Sequence, residues 1–336
     1  MSNPVRIGTP ADLVAAIPAL LGFYPTQSIV GLILSGSKVA AVMRVDVADT
    51  APERDRRAKD FVNVARQNEA ATVLLVTIAE GKIVGDALRT LDAIRLALDI
   101  AGIDNPFPIH VPKIEAGQPL TNLDRDRDGL CADPTTSAVH ALTIATGTAV
   151  EPSRDALRAT YAQGVTVGTN HMRKARTVAF KMGSEPFARM VLKDLHDVVT
   201  GSGTPSATLA SRVGLLFPLH VVARDAALGL ALSEPHRAHD VLAAIGRQLD
   251  GIARSEVLTV AGYFAYVGGS GPRAGIAFDA AYEAVSDHPA NPPRLLELLS
   301  TALRSGLHPD HLRDLAEAGH EKAIELGVDF PKAADA

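Results

Sequence analysis

The densest run of side chains capable of chemistry is Asp124-Arg125-Asp126-Arg127-Asp128-Gly129, with Asp133 following shortly after. Carboxylates at alternating positions before a glycine open the calcium loop of an EF-hand. Their hard oxygens converge on the ion, and glycine permits the tight turn. The twelfth loop position, which normally holds a bidentate glutamate, falls on Thr135. Two arginines also stand between the acids, so a charge-balanced loop pairing Arg with Asp is the favoured reading. No cofactor is predicted; calcium is the one candidate, with Asp124, Asp126, Asp128 and Asp133 as its ligands.

Four further residues are candidates for ligand binding. Arg44 and Asp46 share one face of an expected strand. At the C-terminal edge of a sheet they would stand where α/β proteins take their ligands; otherwise they form an ion pair with each other. Arg224 and Asp225 lie inside the apolar run Leu215 to Leu232. Neighbours on a helix point about 100° apart, which favours an anchor between helices over a shared site. His236 and His239, three apart beside Glu234 and Asp240, could share a metal only with partners from elsewhere, so a solvated helix start is expected. His308 and His311 are read in the same way. The basic cluster His171 to Arg176 could touch phosphates, but without interleaved aromatics it reads as a solvated helix face. Cys131 with His140 could form a nucleophile pair, yet nothing in the sequence activates the thiol. The chain has no Walker-type phosphate loop, no G-x-G-x-x-G after a strand and no G-x-S-x-G elbow. No catalytic set is complete.

The elements that must position these residues fall into two halves. The chain has 336 residues, of which 47% are hydrophobic and 21% charged, enough for two domains with sizeable cores. Aromatics make up 4% and Trp is absent, so Ala, Val and Leu must fill those cores. A net charge of -5 disfavours nucleic acid and anionic membranes as partners. The single cysteine excludes an internal disulfide. The opening MSNPVRIGTP shows no basic segment leading into an apolar run. The expectation is a soluble, cytoplasmic protein with no membrane contact.

Residues 1–150 read as an α/β domain. Thr9, Pro10 and Asp12 start a helix that Gly22 and Pro25 end. Ser28–Leu34 is a buried strand, and Val39–Val47 alternates as its hairpin partner. Pro52–Asn68 and Ile83–Ala101 are amphipathic helices, Thr72–Ala79 is a buried strand, and Ile109–Ile114 is a further strand. The sum is a mixed or mostly parallel sheet with flanking helices. Residues 151–330 read as an all-α array with a break at Pro218, and 331–336 as a disordered tail.

The words DLVAAIPALLGFYP, SIVGLIL and VMRVDV between Asp12 and Val47 resemble the start of an actinobacterial family, the domain of unknown function 4192. Cys131-Ala132-Asp133-Pro134, Pro152-Ser153-Arg154-Asp155-Ala156-Leu157 and Ala223-Arg224-Asp225-Ala226-Ala227 are similar to its later elements. Members commonly carry further cysteines where Thr135, Thr136 and Ser137 stand here, and tryptophans that this chain lacks. The resemblance implies no established activity. Within 254–289, Ala277, Ala284 and Pro289 stand at the small, small and proline spacing of a tetratricopeptide-like helix pair. Together these features lead to a non-enzymatic interaction or scaffold protein that takes a protein or peptide partner on its C-terminal helices, with homo-oligomer formation open. The alternative is a small-molecule or metal-dependent binder or enzyme working at the loop edge of the sheet.

Overall fold

A computed structural model describes residues 8–36, 38–125, 127–145, 149–201, 203–287 and 291–331. Helix α1 (Pro10–Leu21) starts as its sequence requires. Thr9 Oγ1 accepts the Asp12 amide proton at 3.1 Å, and Asp12 Oδ2 accepts that of Thr9 at 3.1 Å, so two otherwise orphaned N–H groups are satisfied. Gly22 closes the helix at φ 80°. Strands β1 (Ser28–Ser35) and β2 (Lys38–Asp46) follow, then helix α2 (Ala51–Gln67), β3 (Thr72–Ile78), α3 (Val84–Ile100), β4 (Ile109–Val111), β5 (Pro119–Asn122), β6 (Arg127–Leu130) and α4 (Ala138–Ala145).

The strands form one mixed sheet in the order β2-β1-β3-β4-β5-β6. β3 and β4 run parallel with α3 as the crossover, and every other neighbouring pair is antiparallel. One face is covered by α2 and α3 through Ile29, Val45, Phe61, Leu75, Leu91 and Ile94, all buried. Fully burying side chains of this kind is worth about 1.5–3 kcal/mol each. The Phe61 ring lies directly over Gly31, where a Cβ would strike it.

Local sequence does not mark β5 and β6 as strands. They are four residues each and rich in Pro, Asn, Asp and Gly, types with poor strand propensity. Pairing across the hairpin, with Thr121 opposite Asp128, holds them where local composition does not.

This α/β unit comprises residues up to Arg154 together with 304–308. The second unit, 155–303 with 309 onward, is helical: α5 (Arg154–Ala159), α6 (Thr169–Met182), α7 (Ser184–Thr200), α8 (Ala207–Leu219), α9 (Val221–Ala227), a 3-10 turn over Leu228–Leu232, α10 (Pro235–Gly246), α11 (Gly251–Val267), α12 (Gly271–Glu283), α13 (Arg294–Arg304) and α14 (Arg313–Glu325). The break expected at Pro218 falls at His220. Pro218 fits within the last turn of α8, and the chain then turns by 120°. The His220 ring restarts the helix by accepting the Ala223 amide proton on Nδ1 at 3.1 Å.

Helix α11 is the centre of this unit, with all residues from Arg254 to Tyr266 buried. Small residues let neighbours close on it: a Cβ on Gly262 would strike the Phe278 ring of α12. Among the described residues, no single helix is long and apolar enough to cross a membrane. Pro289 and residues 332–336 lie outside the described residues.

Candidate functional site: the clefts around α6

The segment that follows α5 is strapped onto the turn between α10 and α11. Gly164 donates its amide proton to the Arg247 carbonyl at 2.8 Å, and Val167 to that of Gln248 at 2.8 Å. The Gln163 side chain donates to the Leu249 carbonyl at 3.0 Å. From beneath, the buried Arg254 guanidinium donates to the Tyr161 carbonyl at 2.6 Å and to that of Gly246 at 2.8 Å. A fixed donor fork on two carbonyls sets the distance between strap and turn.

Tyr161 is the buried foot of the strap, 1% exposed. Its hydroxyl lies 2.8 Å from His239 Nε2 and 3.3 Å from the Arg273 carbonyl. His239 Nδ1 in turn lies 2.9 Å from Asp240 Oδ1. With hydrogen on Nδ1 the ring donates to Asp240, and its bare Nε2 accepts from Tyr161. Burial raises the Tyr161 pKa, so the phenol stays protonated and serves as a donor. Burial raises the Asp240 carboxyl, but the hydrogen bond and charge of His239, with Arg273 and Arg237, pull it below its ordinary value. Nearby His236 is lowered by burial and by His239. His239 is therefore a buried link between α10 and the strap, where a solvated helix start was expected.

Helix α6 continues from this strap and buries a single residue, Ala175. Three clefts adjoin it. One of about 520 Å³ lies between its first two turns, with Arg173 and Arg176, and the start of α11, with Asp250 and Ala253. A second, of about 650 Å³, lies along the strap against Arg247 and Ala244. The third, of about 370 Å³, runs between α6 and α8 and is lined by Arg173, Lys174, Lys181, Arg212, Thr208 and Ser211, among others. The three linings together hold Arg173, Lys174, Arg176, Lys181, Arg212 and Arg247 against one carboxylate, Asp250. Arg212 is aligned by Asp194 at 2.8 Å, and Arg173 donates to Asn170 at 3.0 Å. Val165 on the strap and Phe180 on α6 are 92% and 91% exposed. Cations around grooves with exposed apolar side chains can hold an anionic, partly apolar ligand.

The residues singled out from sequence are placed elsewhere. Asp124 lies in the turn that follows β5, and Asp128 lies in β6. Asp124 pairs with Arg95 at 2.9 Å and accepts no second cation among the described residues. Asp128 lies opposite Thr121, and Asp126 lies outside the described residues. Asp133 accepts from the amide and hydroxyl of Thr135 at 2.9 and 2.7 Å, hydrogen bonds that lower its pKa. Asp124 thus lies in the turn after β5, Asp128 and Gly129 lie in β6, and Asp133 caps a 3-10 turn over Pro134–Thr136. Among the described residues no group of three or more His, Cys, Asp or Glu side chains is placed to hold a metal.

Arg44 bonds to Asp46 at 2.6 Å and to the Thr26 carbonyl at 3.3 Å. Burial lowers its pKa against the opposing pull of Asp46. Asp46 pairs with Ser28, which also pairs with Ile78, so it does stand at the C-terminal end of β3. Arg224 donates twice to Asp225 Oδ1, at 2.9 and 2.8 Å, and once to Glu256 Oε2 of α11 at 3.0 Å. Its charge is spent between two helices. Cys131 is buried, and burial raises its pKa, the opposite of an activated nucleophile.

The clefts draw on residues from 164 to 253, which no local pattern joins. The basic run His171 to Arg176 was the visible part of them.

A mixed α/β sheet unit with a helical array carrying basic clefts is the class that fold and site define. A model of the family described as domain of unknown function (DUF4192) matches residues 10–310, and the chain belongs to that family. No curated protein and no solved structure matches it.

Proposed function

We propose that this chain is a non-enzymatic interaction protein whose helical unit receives an acidic segment of a partner protein along α6. The observation that carries this reading is the charge of the three adjoining clefts, whose linings hold six Lys or Arg side chains and the one carboxylate Asp250, with Arg212 paired to Asp194 from outside the lining, in a chain of net charge -5. A basic groove on an acidic protein selects an acidic partner and speeds its encounter. The exposed Val165 and Phe180 give apolar residues of the same segment somewhere to rest. Nucleic acid is the weaker match: among the described lining residues there is no Phe, Tyr or Trp for base stacking, and His171 is the one ring. The tetratricopeptide-like spacing of Ala277 and Ala284 supports the same class of function; the resemblance adds an actinobacterial source, and the single cysteine fits a cytoplasmic setting.

The test uses a labelled twelve-residue peptide of Glu, Leu and Phe and measures anisotropy at two salt concentrations. The peptide should bind, lose affinity as salt rises, and lose about tenfold or more in the Arg173→Glu/Arg176→Glu variant. Equal binding by a basic peptide of the same length, or by the variant, overturns the reading. Tighter binding of single-stranded DNA transfers the site to nucleic acid.

A further inference from the structure

The three clefts are not equivalent. The one between α6 and α8 has cations on both walls, Arg173, Lys174 and Lys181 from α6 and Arg212 from α8, and no carboxylate in its lining. Among the described residues, Lys174 and Lys181 form no ion pair, so their charge is not already neutralised. Arg212 is held in place by Asp194, and Thr208 belongs to the same wall, while the buried Ser211 hydroxyl donates to the Thr208 carbonyl at 2.9 Å.

We infer that this cleft is a subsite for a phosphomonoester group. A carboxylate brings one charge and two oxygens. A phosphoryl group brings about -1.5 to -2 charges at neutral pH and three strong acceptor oxygens. Cations on two facing walls can engage several of those oxygens at once, and an arginine adds a planar pair of donors. The volume of about 370 Å³ exceeds what a Glu or Asp terminus fills and admits a phosphorylated side chain entering alongside α6. The inference rests on the reading that α6 receives the partner segment. It adds that the segment carries a phosphorylated serine or threonine, seated between Lys174, Lys181 and Arg212.

The full chain is titrated with three labelled peptides: an acidic one containing serine, the same one with phosphoserine, and a neutral control. Inorganic phosphate serves as competitor. The phosphopeptide should bind about tenfold more tightly than its serine counterpart. The ratio of phosphopeptide to serine-peptide affinity should fall from about tenfold to about one in Lys174→Met/Lys181→Met, which alters two exposed side chains and, because both belong to the basic clefts, weakens the serine peptide to a lesser extent. Loss of the gain on adding millimolar inorganic phosphate or free phosphoserine also supports the subsite, and shows that a small phosphorylated molecule can supply the group. Equal binding of serine and phosphoserine peptides overturns the subsite and leaves the acidic-partner reading standing. A gain that survives in the double variant places the phosphoryl group elsewhere and overturns it too. Failure of every peptide to bind overturns both.

Discussion

Tyr161 and His239 meet in the interior of the helical unit, with the phenol oxygen 2.8 Å from Nε2 and the rings crossed at 77°. This contact ties the strap that walls two of the clefts to α10, and Asp240 orients the ring from its other nitrogen. Tyr161→Phe keeps the packing and removes one hydroxyl, leaving a buried ring nitrogen without its partner. Such a loss costs about 1–3 kcal/mol. At about 2–4 °C per kcal/mol for a unit of this size, thermal unfolding should drop by several degrees. An unchanged midpoint would show that the hydroxyl does not tie the strap.

The same cluster sets a pH dependence. The folded pKa of His236 lies below 6.5, driven by burial first and then by His239 and Arg273, against Asp240 and Glu234. A depressed histidine stabilises the fold above its unfolded value and loses that contribution as pH falls through the folded value. Asp240, also depressed, acts in the same direction but only toward and below its ordinary value of 3.8. Glu256 is raised above 4.5 by burial despite Arg224, so its contribution is present below 4.5 and is lost as pH rises through the folded value. The native chain and a His236 variant both carry Glu256 and Asp240, so comparing the two isolates His236. Between pH 7 and 5, the stability difference between the native chain and His236→Gln should shrink as pH falls, by at most about 1.4 kcal/mol per unit. Parallel curves from urea titrations would refute the assignment to His236.

Sequence and structure agree most closely where a local signal dictates the outcome. Thr9 and Asp12 close the capping box that their spacing requires, and the buried run at β1 and the alternating run at β2 form the expected hairpin. Disagreement arises where partners distant in sequence decide. β5 and β6 are strands because they pair with β4 and with each other, although residues such as Pro119, Asn122 and Gly129 do not favour strands. The Asp124 to Gly129 run has the composition of an ion loop, but Asp124 lies in a turn paired with Arg95 and Asp128 and Gly129 lie in β6. His239 looks solvent-facing beside Arg237 and Asp240; it is buried because Tyr161 arrives from 78 residues earlier. The basic run on α6 was legible as charge. Its clefts were not, because α8 and the α10–α11 turn supply their other walls.

Helix α14 docks backbone to backbone. A Cβ on Gly319 would fall 2.6 Å from the Asp225 carbonyl oxygen and 2.7 Å from the Gly229 nitrogen, and one on Gly229 would fall 2.7 Å from the His320 nitrogen. Neither neighbour is a side chain that can swing away. Gly319→Ala should therefore cost about 3 kcal/mol, the upper end of ordinary overpacking, and should expose α14 to limited proteolysis. Gly275→Ala is the contrasting case. Its Cβ would meet Leu303 Cδ2 at an ordinary 3.5 Å, and alanine gains about 0.5–1 kcal/mol over glycine inside a helix. Thermal unfolding should move in opposite directions for the two variants. Movement in the same direction would mean that close approach at Gly319 does not limit the docking of α14.

Arg224 separates an anchor from a ligand site. Its side chain is 10% exposed, as is that of Glu256, while Asp225 is 41% exposed. Removing the buried carboxylate with Glu256→Leu leaves the Arg224 charge held from one side only, at a cost of about 3 kcal/mol. Glu256→Gln keeps an acceptor for the guanidinium and, because burial already disfavours the carboxylate, should cost only about 1 kcal/mol. Arg224→Met with Glu256→Leu removes both charges and fills the space with apolar atoms, and such replacements are often neutral. The double variant should therefore be more stable than Glu256→Leu alone, with a coupling of about 1–3 kcal/mol in a double-mutant cycle. If the two substitutions add without coupling, the pair does not anchor α9 to α11, and Arg224 and Asp225 return to the candidates for binding a ligand.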